Sequence, residues 1–174
     1  MFRCIAMQDG PVVPIGRSPR TDVLLNAEKV VLEFGGCVLR LAGLYISFQI
    51  LEFNLNYWHK ADRGAHVYWL EKGTVEARPD HILNLIHYED AASLAVAILK
   101  KKRHGQIFLG CDNHPVSRQE LMDLVNKSGK FGKKFEAFTG TSDPLGKRLN
   151  NSKTREEIGW QPKYPSFSQF LESI

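Results

Sequence analysis

Apolar residues recur at helical spacing from Val23 through Leu24, Ala27, Val30 and Val31 to Phe34, which predicts an amphipathic helix. Ser18-Pro19 ahead of it supplies an N-cap and a first-turn proline, and Gly35-Gly36 stops it. Cys37 to Ala42 (CVLRLA) is short and mostly apolar, the pattern of a strand buried on both faces. Helix followed by buried strand predicts an α/β unit. After Tyr45 the pattern breaks: residues 46–59, ISFQILEFNLNYWH, place bulky apolar groups on no consistent face. A short helix is then predicted from Arg63-Gly64 to Lys72-Gly73, and a second strand at Leu83 to Ile86. Glu89-Asp90 open a helix whose stripe is Ala91, Leu94, Ala95, Ile98 and Leu99, with acids at its start and bases at its end. Gln106 to Gly110 reads as a third buried strand, so strand, helix and strand predict a parallel βαβ crossover. Ser117-x-x-Glu120 is a capping box for a helix ending at Ser128-Gly129. Lys133 to Phe138 alternates like an edge strand. A Ser152-capped turn of helix ending at Gly159, and a last helix after Ser166 carrying Phe167, Phe170 and Leu171, complete the chain.

Composition adds bounds rather than elements. With 174 residues, 43% of them hydrophobic and 24% charged, one domain with a single compact core is expected. The net charge of +4 is spread out except at Lys100, Lys101, Lys102, Arg103 and His104. That run suits a helix C-terminus, and no aromatic residues interleave with it, so nucleic acid is not expected as a partner. Cys4, Cys37 and Cys111 are odd in number and set in apolar surroundings, which favours reduced core thiols over a disulfide framework. His81 and His87 stand six apart and no Cys-x-x-Cys occurs, so no metal site is expected. The apolar run from Leu41 to Leu51 is too short for the roughly 20 residues that span a bilayer. A soluble, cytoplasmic protein is the default, with an organelle as the alternative if a longer form carries a transit peptide.

Four stretches occur in an order that resembles the extended short-chain dehydrogenase/reductase superfamily of epimerase/dehydratase type, and specifically its atypical Rossmann-fold members. Glu28 followed by Cys37-Val-Leu-Arg-Leu-Ala-Gly-Leu-Tyr45 resembles the helix and strand ending in the family's Leu-Arg-x-x-x-x-Tyr-Gly segment. Asn84-Leu-Ile-His-Tyr-Glu-Asp90-Ala-Ala resembles its Asn-x-Ile-His-x-x-Asp-x-Ala stretch, the most specific of the four. Ile107 to Pro115 followed by Ser117 is similar to a strand and loop before a capped helix, and Ser152-Lys153 through Ile158-Gly-Trp-Gln-Pro162 is similar to the C-terminal Ser-Lys signature. The resemblance covers the family's C-terminal half. It implies an α/β fold, a partial Rossmann-like parallel sheet with a small mixed substrate lobe. The expected division is residues 1–45 as part of the nucleotide-binding domain, 46–59 as an insertion without family counterpart, and 60–174 as the substrate-side lobe, with residues 87–110 returning to the sheet. It also implies NAD or NADP as cofactor and a small polar or nucleotide-linked substrate for the parent family. Leu41, Ala42, Gly43 and Leu44 would lie against the nicotinamide, and Arg63 and His87 would face the substrate.

Each of these residues has a second reading. His87 can cap the helix that follows it. Arg63 can be a solvated loop residue, and Trp160 is expected to pack the tail onto the body. Arg40 inside an apolar strand requires a partner, an internal carboxylate in preference to a bound phosphate.

Two features of the family pattern are missing. Dinucleotide binding needs a strand, a Gly-rich turn and a helix N-terminus; no such element precedes residue 37, and Gly129-x-x-Gly132 follows a helix instead. The family's Tyr and the Lys four residues after it, counted back from Glu28, fall on Arg20 and Leu24. Arginine does not release a proton at physiological pH and leucine carries no charge, so no catalytic residue is assigned. Three functions follow: an NAD(P)-linked relative that is not catalytic by itself, a binding or regulatory module, or a mispredicted or splice-variant product. Abrupt edges at 46–59 would suit translated intron sequence, and Met1 an internal start. Unfilled strands would expose an apolar sheet edge through which copies could associate.

Overall fold

The computed structural model describes residues 5–7, 13–45 and 65–174. Residues 46–59, Arg63 and Cys4 lie outside them. The described elements are β1 (Ile5–Met7), α1 (Pro19–Glu33), β2 (Val38–Leu41), β3 (Gly43–Tyr45), α2 (Ala65–Lys72), β4 (Thr74–Val75), β5 (Ile82–Leu83) and β6 (Leu85–His87). They continue with α3 (Tyr88–Lys100), β7 (Ile107–Gly110), β8 (Val116–Ser117), α4 (Arg118–Ser128), β9 (Ala137–Phe138), β10 (Arg148–Asn150), α5 (Ser152–Ile158) and α6 (Phe167–Ser173).

α1 begins at the expected proline, but Ser18, at the N-cap position, makes no side-chain capping bond. The Asp22 carboxylate in the first turn instead accepts the Gly16 amide at 3.0 and 3.1 Å, folding the preceding loop onto the helix. At the other end Gly35 takes φ 75°, a conformation that costs glycine nothing. Its amide donates to Leu32 O and that of Gly36 to Val31 O, which closes the helix in a Schellman turn. The apolar stripe read from the sequence does not face a core: no α1 residue is buried, and Val23, Leu24, Val30 and Val31 are exposed. The sheet-facing side carries the half-buried Leu25, Glu28 and Leu32.

β2 pairs in parallel with β7 from Val38↔Ile107 to Leu41↔Gly110, and β3 pairs in parallel with β6. The stretch at Leu83 to Ile86 is therefore two short strands, not one. β5 pairs antiparallel with β8, while β6 crosses to β3. The Gly43 amide donates to Asn84 O, and the Asp112 amide donates to Leu85 O, both across β6. β6 thus fills the space where the ends of β2–β3 and β7 diverge. Both flank strands run parallel to the 38–45 strand, as the βαβ pattern predicts. β2 is only half-buried along Val38, Leu39 and Arg40, and Leu41 is exposed, so the expected burial on both faces is corrected.

Two hydrophobic clusters replace the single expected core. One joins Ile86, Ala91, Leu94, Ile98, Phe108, Ile158 and Trp160 beneath α3, with Cys37, Leu39, Ala42 and Leu44 packed against it. The other gathers Trp69, Leu70, Leu121, Met122, Val125, Phe135, Phe167, Phe170 and Leu171 from α2, α4, α6 and the loop before β9. Tyr45 belongs to the second cluster although it ends the strand that begins in the first.

α4 carries the predicted capping box: the Glu120 amide donates to Ser117 Oγ at 3.1 Å and the Ser117 amide to Glu120 Oε2 at 2.6 Å. α5 differs from its sequence reading. Asn151, not Ser152, holds the N-cap position, and its side chain is committed elsewhere, its Nδ2 donating to Cys111 O at 2.7 Å. Thr154 Oγ1 accepts the Leu109 amide at 3.0 Å. These two fully buried side chains stitch α5 to the edge of β7 and give its backbone a partner there. The alternating run at Lys133 to Phe138 forms a strand only over Ala137–Phe138, which pairs with β4.

Candidate functional site

The parallel strands converge with their C-terminal ends on one point, the place where open α/β sheets put their ligand crevice. Tyr45 closes β3, His87 closes β6, and Asp112 follows β7 by two residues. Register pairs Tyr45 directly with His87, and their rings meet edge to face at 5.2 Å. All three residues are 1% exposed.

His87 is the N-cap of α3, with its Nδ1 accepting the Glu89 amide at 3.2 Å. The structure therefore gives it the capping role, one of its two sequence readings. That bond fixes Nδ1 as the unprotonated nitrogen, because an N–H cannot accept. The ring sits in an aromatic box with Tyr164 at 4.2 Å and Phe170 at 5.1 Å, and burial pushes its pKa below the ordinary histidine value. The next two residues extend the device. Asp90 accepts the Lys163 amide at 2.6 Å and the Tyr164 amide at 2.9 Å, and Lys163 Nζ reaches Glu89 at 2.7 Å. Trp160 packs the tail as expected, its Nε1 donating to Ser93 Oγ at 2.9 Å. One helix N-terminus thus holds both a strand end and the tail.

Asp112 was not among the expected site residues. One carboxylate oxygen accepts the His114 amide at 2.9 Å, and Arg155 donates to the Asp112 carbonyl at 2.9 Å. Its other oxygen, Tyr45 Oη and His87 Nε2 are buried without a hydrogen-bond partner among the described residues. Burial raises the Asp112 carboxyl to about 7, against the His114 bond and the nearby charges, so it is half-protonated at neutral pH. Burial, then the charges of Asp112 and Asp90, raise the Tyr45 hydroxyl far above the usual tyrosine range. It stays neutral and gives up no proton. The group is a buried polar cluster in which burial raises the proton affinity of Asp112. The signal in the sequence was a carboxylate directly after an apolar strand, in Gly110-Cys-Asp112.

Leu41, Ala42, Gly43 and Leu44 line the same strand end. The Ala42 amide donates to Gly110 O and the Gly43 amide to Asn84 O. A Cβ at residue 43 would stand 3.1 Å from Asn84 O, so glycine there permits the close approach of β6. Leu41 and Gly43 are exposed, and Ala42 and Leu44 are half-buried. Arg40, just before them, is paired as expected with a carboxylate, reaching Glu28 at 2.9 and 2.6 Å through Nε and Nη2. Arg20 is exposed and Leu24 is 60% exposed, on the turns of α1 preceding Glu28. Among the described residues, no group of three His, Cys, Asp or Glu side chains could hold a metal ion, and no helix is long and apolar enough to cross a membrane.

No family model matches the sequence. The fold, however, matches solved structures. It is similar to dTDP-glucose 4,6-dehydratase from Bacillus anthracis in complex with NAD, with a TM-score of 0.72 at 16% identity, over 97% of this chain and 58% of that one. A conserved protein of unknown function from Silicibacter pomeroyi matches with a TM-score of 0.72 at 21% identity, over 98% of this chain and 59% of that one. RMD from Pseudomonas aeruginosa, complexed with NADPH, matches with a TM-score of 0.68 at 16% identity, over 96% of this chain and 61% of that one. The chain therefore spans about three fifths of the length of these structures. The α/β architecture built on β2, β3, β6 and β7 is the Rossmann-like fold of the NAD-binding epimerases and dehydratases, as the four sequence stretches implied.

Proposed function

We propose that this chain is a relative of the NAD(P)-linked epimerases and dehydratases that supplies the strand bordering the nicotinamide and the substrate-side lobe, and that it does not catalyse by itself. The observation that carries the reading lies in α1. The Arg40–Glu28 pair locks the helix against β2, and the positions one and two turns before Glu28 are Leu24 and Arg20. Neither side chain can relay a proton to or from a substrate oxygen at neutral pH. Among the described residues, no strand, Gly-rich turn and helix together form a cradle for a pyrophosphate.

In this reading Leu41, Ala42, Gly43 and Leu44 would border a nicotinamide offered by a nucleotide-binding unit, and a nucleotide-linked polar substrate would meet the lobe, with Arg63 as a candidate substrate-side residue. His87 would act on such a substrate only through the strand end that it holds. The exposed apolar side of α1 would be covered by that unit or by a second copy of the chain. Incubating the chain with NAD and UDP-glucose or dTDP-glucose, while following reduced nicotinamide by absorbance and the sugar by chromatography, tests the reading. No change in either is expected, and formation of reduced nicotinamide or a converted sugar overturns it. The alternative of a binding module rests on the same residues and predicts substrate retention without conversion in that experiment.

A further inference from the structure

At the opposite end of the strands from Tyr45, His87 and Asp112, the closing turn of α1 and the outer side of α3 leave an open cleft of about 540 Å³. Its volume falls within the roughly 300–1,000 Å³ of small-molecule sites. Val38, Leu39, Ala95, Ile98 and Leu99 form its walls. Its remaining side is the basic loop that ends α3, from which Lys102, Arg103 and His104 line the cleft. Among the described residues that line it there is no carboxylate.

That loop is fastened to the cleft rather than merely next to it. The Gly105 amide donates to the Gly35 and Gly36 carbonyls at 3.2 and 3.1 Å, and Cys37 Sγ donates to Arg103 O at 3.1 Å. Lys102 is held at φ 48°, in the left-handed region that few residues other than glycine occupy. The bonds to residues 35–37 hold a locally unfavourable backbone in place, and with it two permanent cations at the rim of an apolar hollow. Attraction to a negative head group and burial of an apolar tail are the two properties such a rim and hollow combine.

We propose that this cleft binds an amphipathic anion, a single alkyl chain carrying a carboxylate head, with the chain against Leu39, Ile98 and Leu99 and the head on Lys102 and Arg103. The site is independent of the nicotinamide end of the sheet, so its occupancy and the absence of catalysis are separate questions. Calorimetric titration of the full chain with octanoate, decanoate and decanol tests it. Decanoate is expected to bind with one-to-one stoichiometry and about fifteenfold more tightly than octanoate, since each buried methylene contributes about fourfold.

The double variant Lys102→Gln/Arg103→Gln is expected to weaken decanoate about tenfold, as loss of a charge-assisted contact does, and to leave decanol unchanged. Leu99 is 76% exposed, so Leu99→Glu places a repelling carboxylate in the wall without disturbing the core, and it should weaken decanoate likewise. Absence of decanoate binding by the unaltered chain overturns the proposal. So does binding that neither substitution alters, because it would then reside on another apolar surface such as the outer side of α1.

Discussion

At the scale of single residues, the energetics concentrate on charges withdrawn from water. Arg40 and Glu28 are 26% and 21% exposed and bonded at two points, so removing one partner strands the other. Arg40→Met or Glu28→Gln is expected to destabilise by about 2 kcal/mol, between the values for surface and buried pairs, and the double variant by less than the sum. Denaturant titration of the three variants measures this. Asp112 gives a pH signature. Its carboxyl titrates at about 7 when folded, above the ordinary 3.8, so the folded state binds the proton more tightly. The resulting stabilisation is complete below about pH 4 and is lost as pH rises through about 7. His66, lowered by burial to about 4, acts in the other sense, adding stability as pH rises toward its unfolded value near 6.5. Comparison with Asp112→Asn isolates the carboxylate. The variant should gain about 2 kcal/mol on the unaltered protein between about pH 5 and pH 8, and a pH-independent difference would remove the role assigned to Asp112. The demand for an Arg40 partner was legible in the sequence, because a guanidinium in an apolar strand cannot stay unpaired. Asp112 was not, because its burial depends on three strand ends spread over more than sixty positions of the chain.

At the scale of elements, most local stops and caps were legible, Ser18 ahead of α1 being an exception. The Ser117–Glu120 box, the Gly35-Gly36 stop and the Gly129 and Gly159 ends all depend on residues within one turn of each other. Ser117→Ala is expected to cost about 1 kcal/mol in denaturant titration. Where a side chain serves a distant element, local reading fails. Asn151 and Thr154 hold β7, and the N-cap position of α5 falls on Asn151 rather than Ser152. The outward turn of α1's apolar residues has the same cause, since Glu28 is drawn to Arg40 and sets which side of the helix meets the sheet. The tail depends on α3 through Asp90. Asp90→Ala removes two bonds to the Lys163 and Tyr164 amides and should cost about 3 kcal/mol. Hydrogen exchange in residues 160–174 should then rise before that in α4; a uniform change would show that the tail is held by α6 packing alone.

At the scale of the whole molecule, the described residues form two clusters of side chains, on a fold shared with dTDP-glucose 4,6-dehydratase, RMD and the Silicibacter pomeroyi protein, of whose lengths the chain spans 58–61%. The fold class was legible because strand, helix and strand order leaves few topologies. The division into two cores was not, since Phe167 and Phe170 of the tail join α2 and α4 across the chain. Among the described residues no Gly-rich turn after a strand offers a pyrophosphate cradle, and Arg20 and Leu24 cannot relay a proton, so the function proposed above predicts little affinity for the free cofactor. Titration with NADH, followed by nicotinamide fluorescence, tests this most directly. No saturable enhancement is expected up to millimolar cofactor, and a saturable signal with a micromolar dissociation constant would contradict the account.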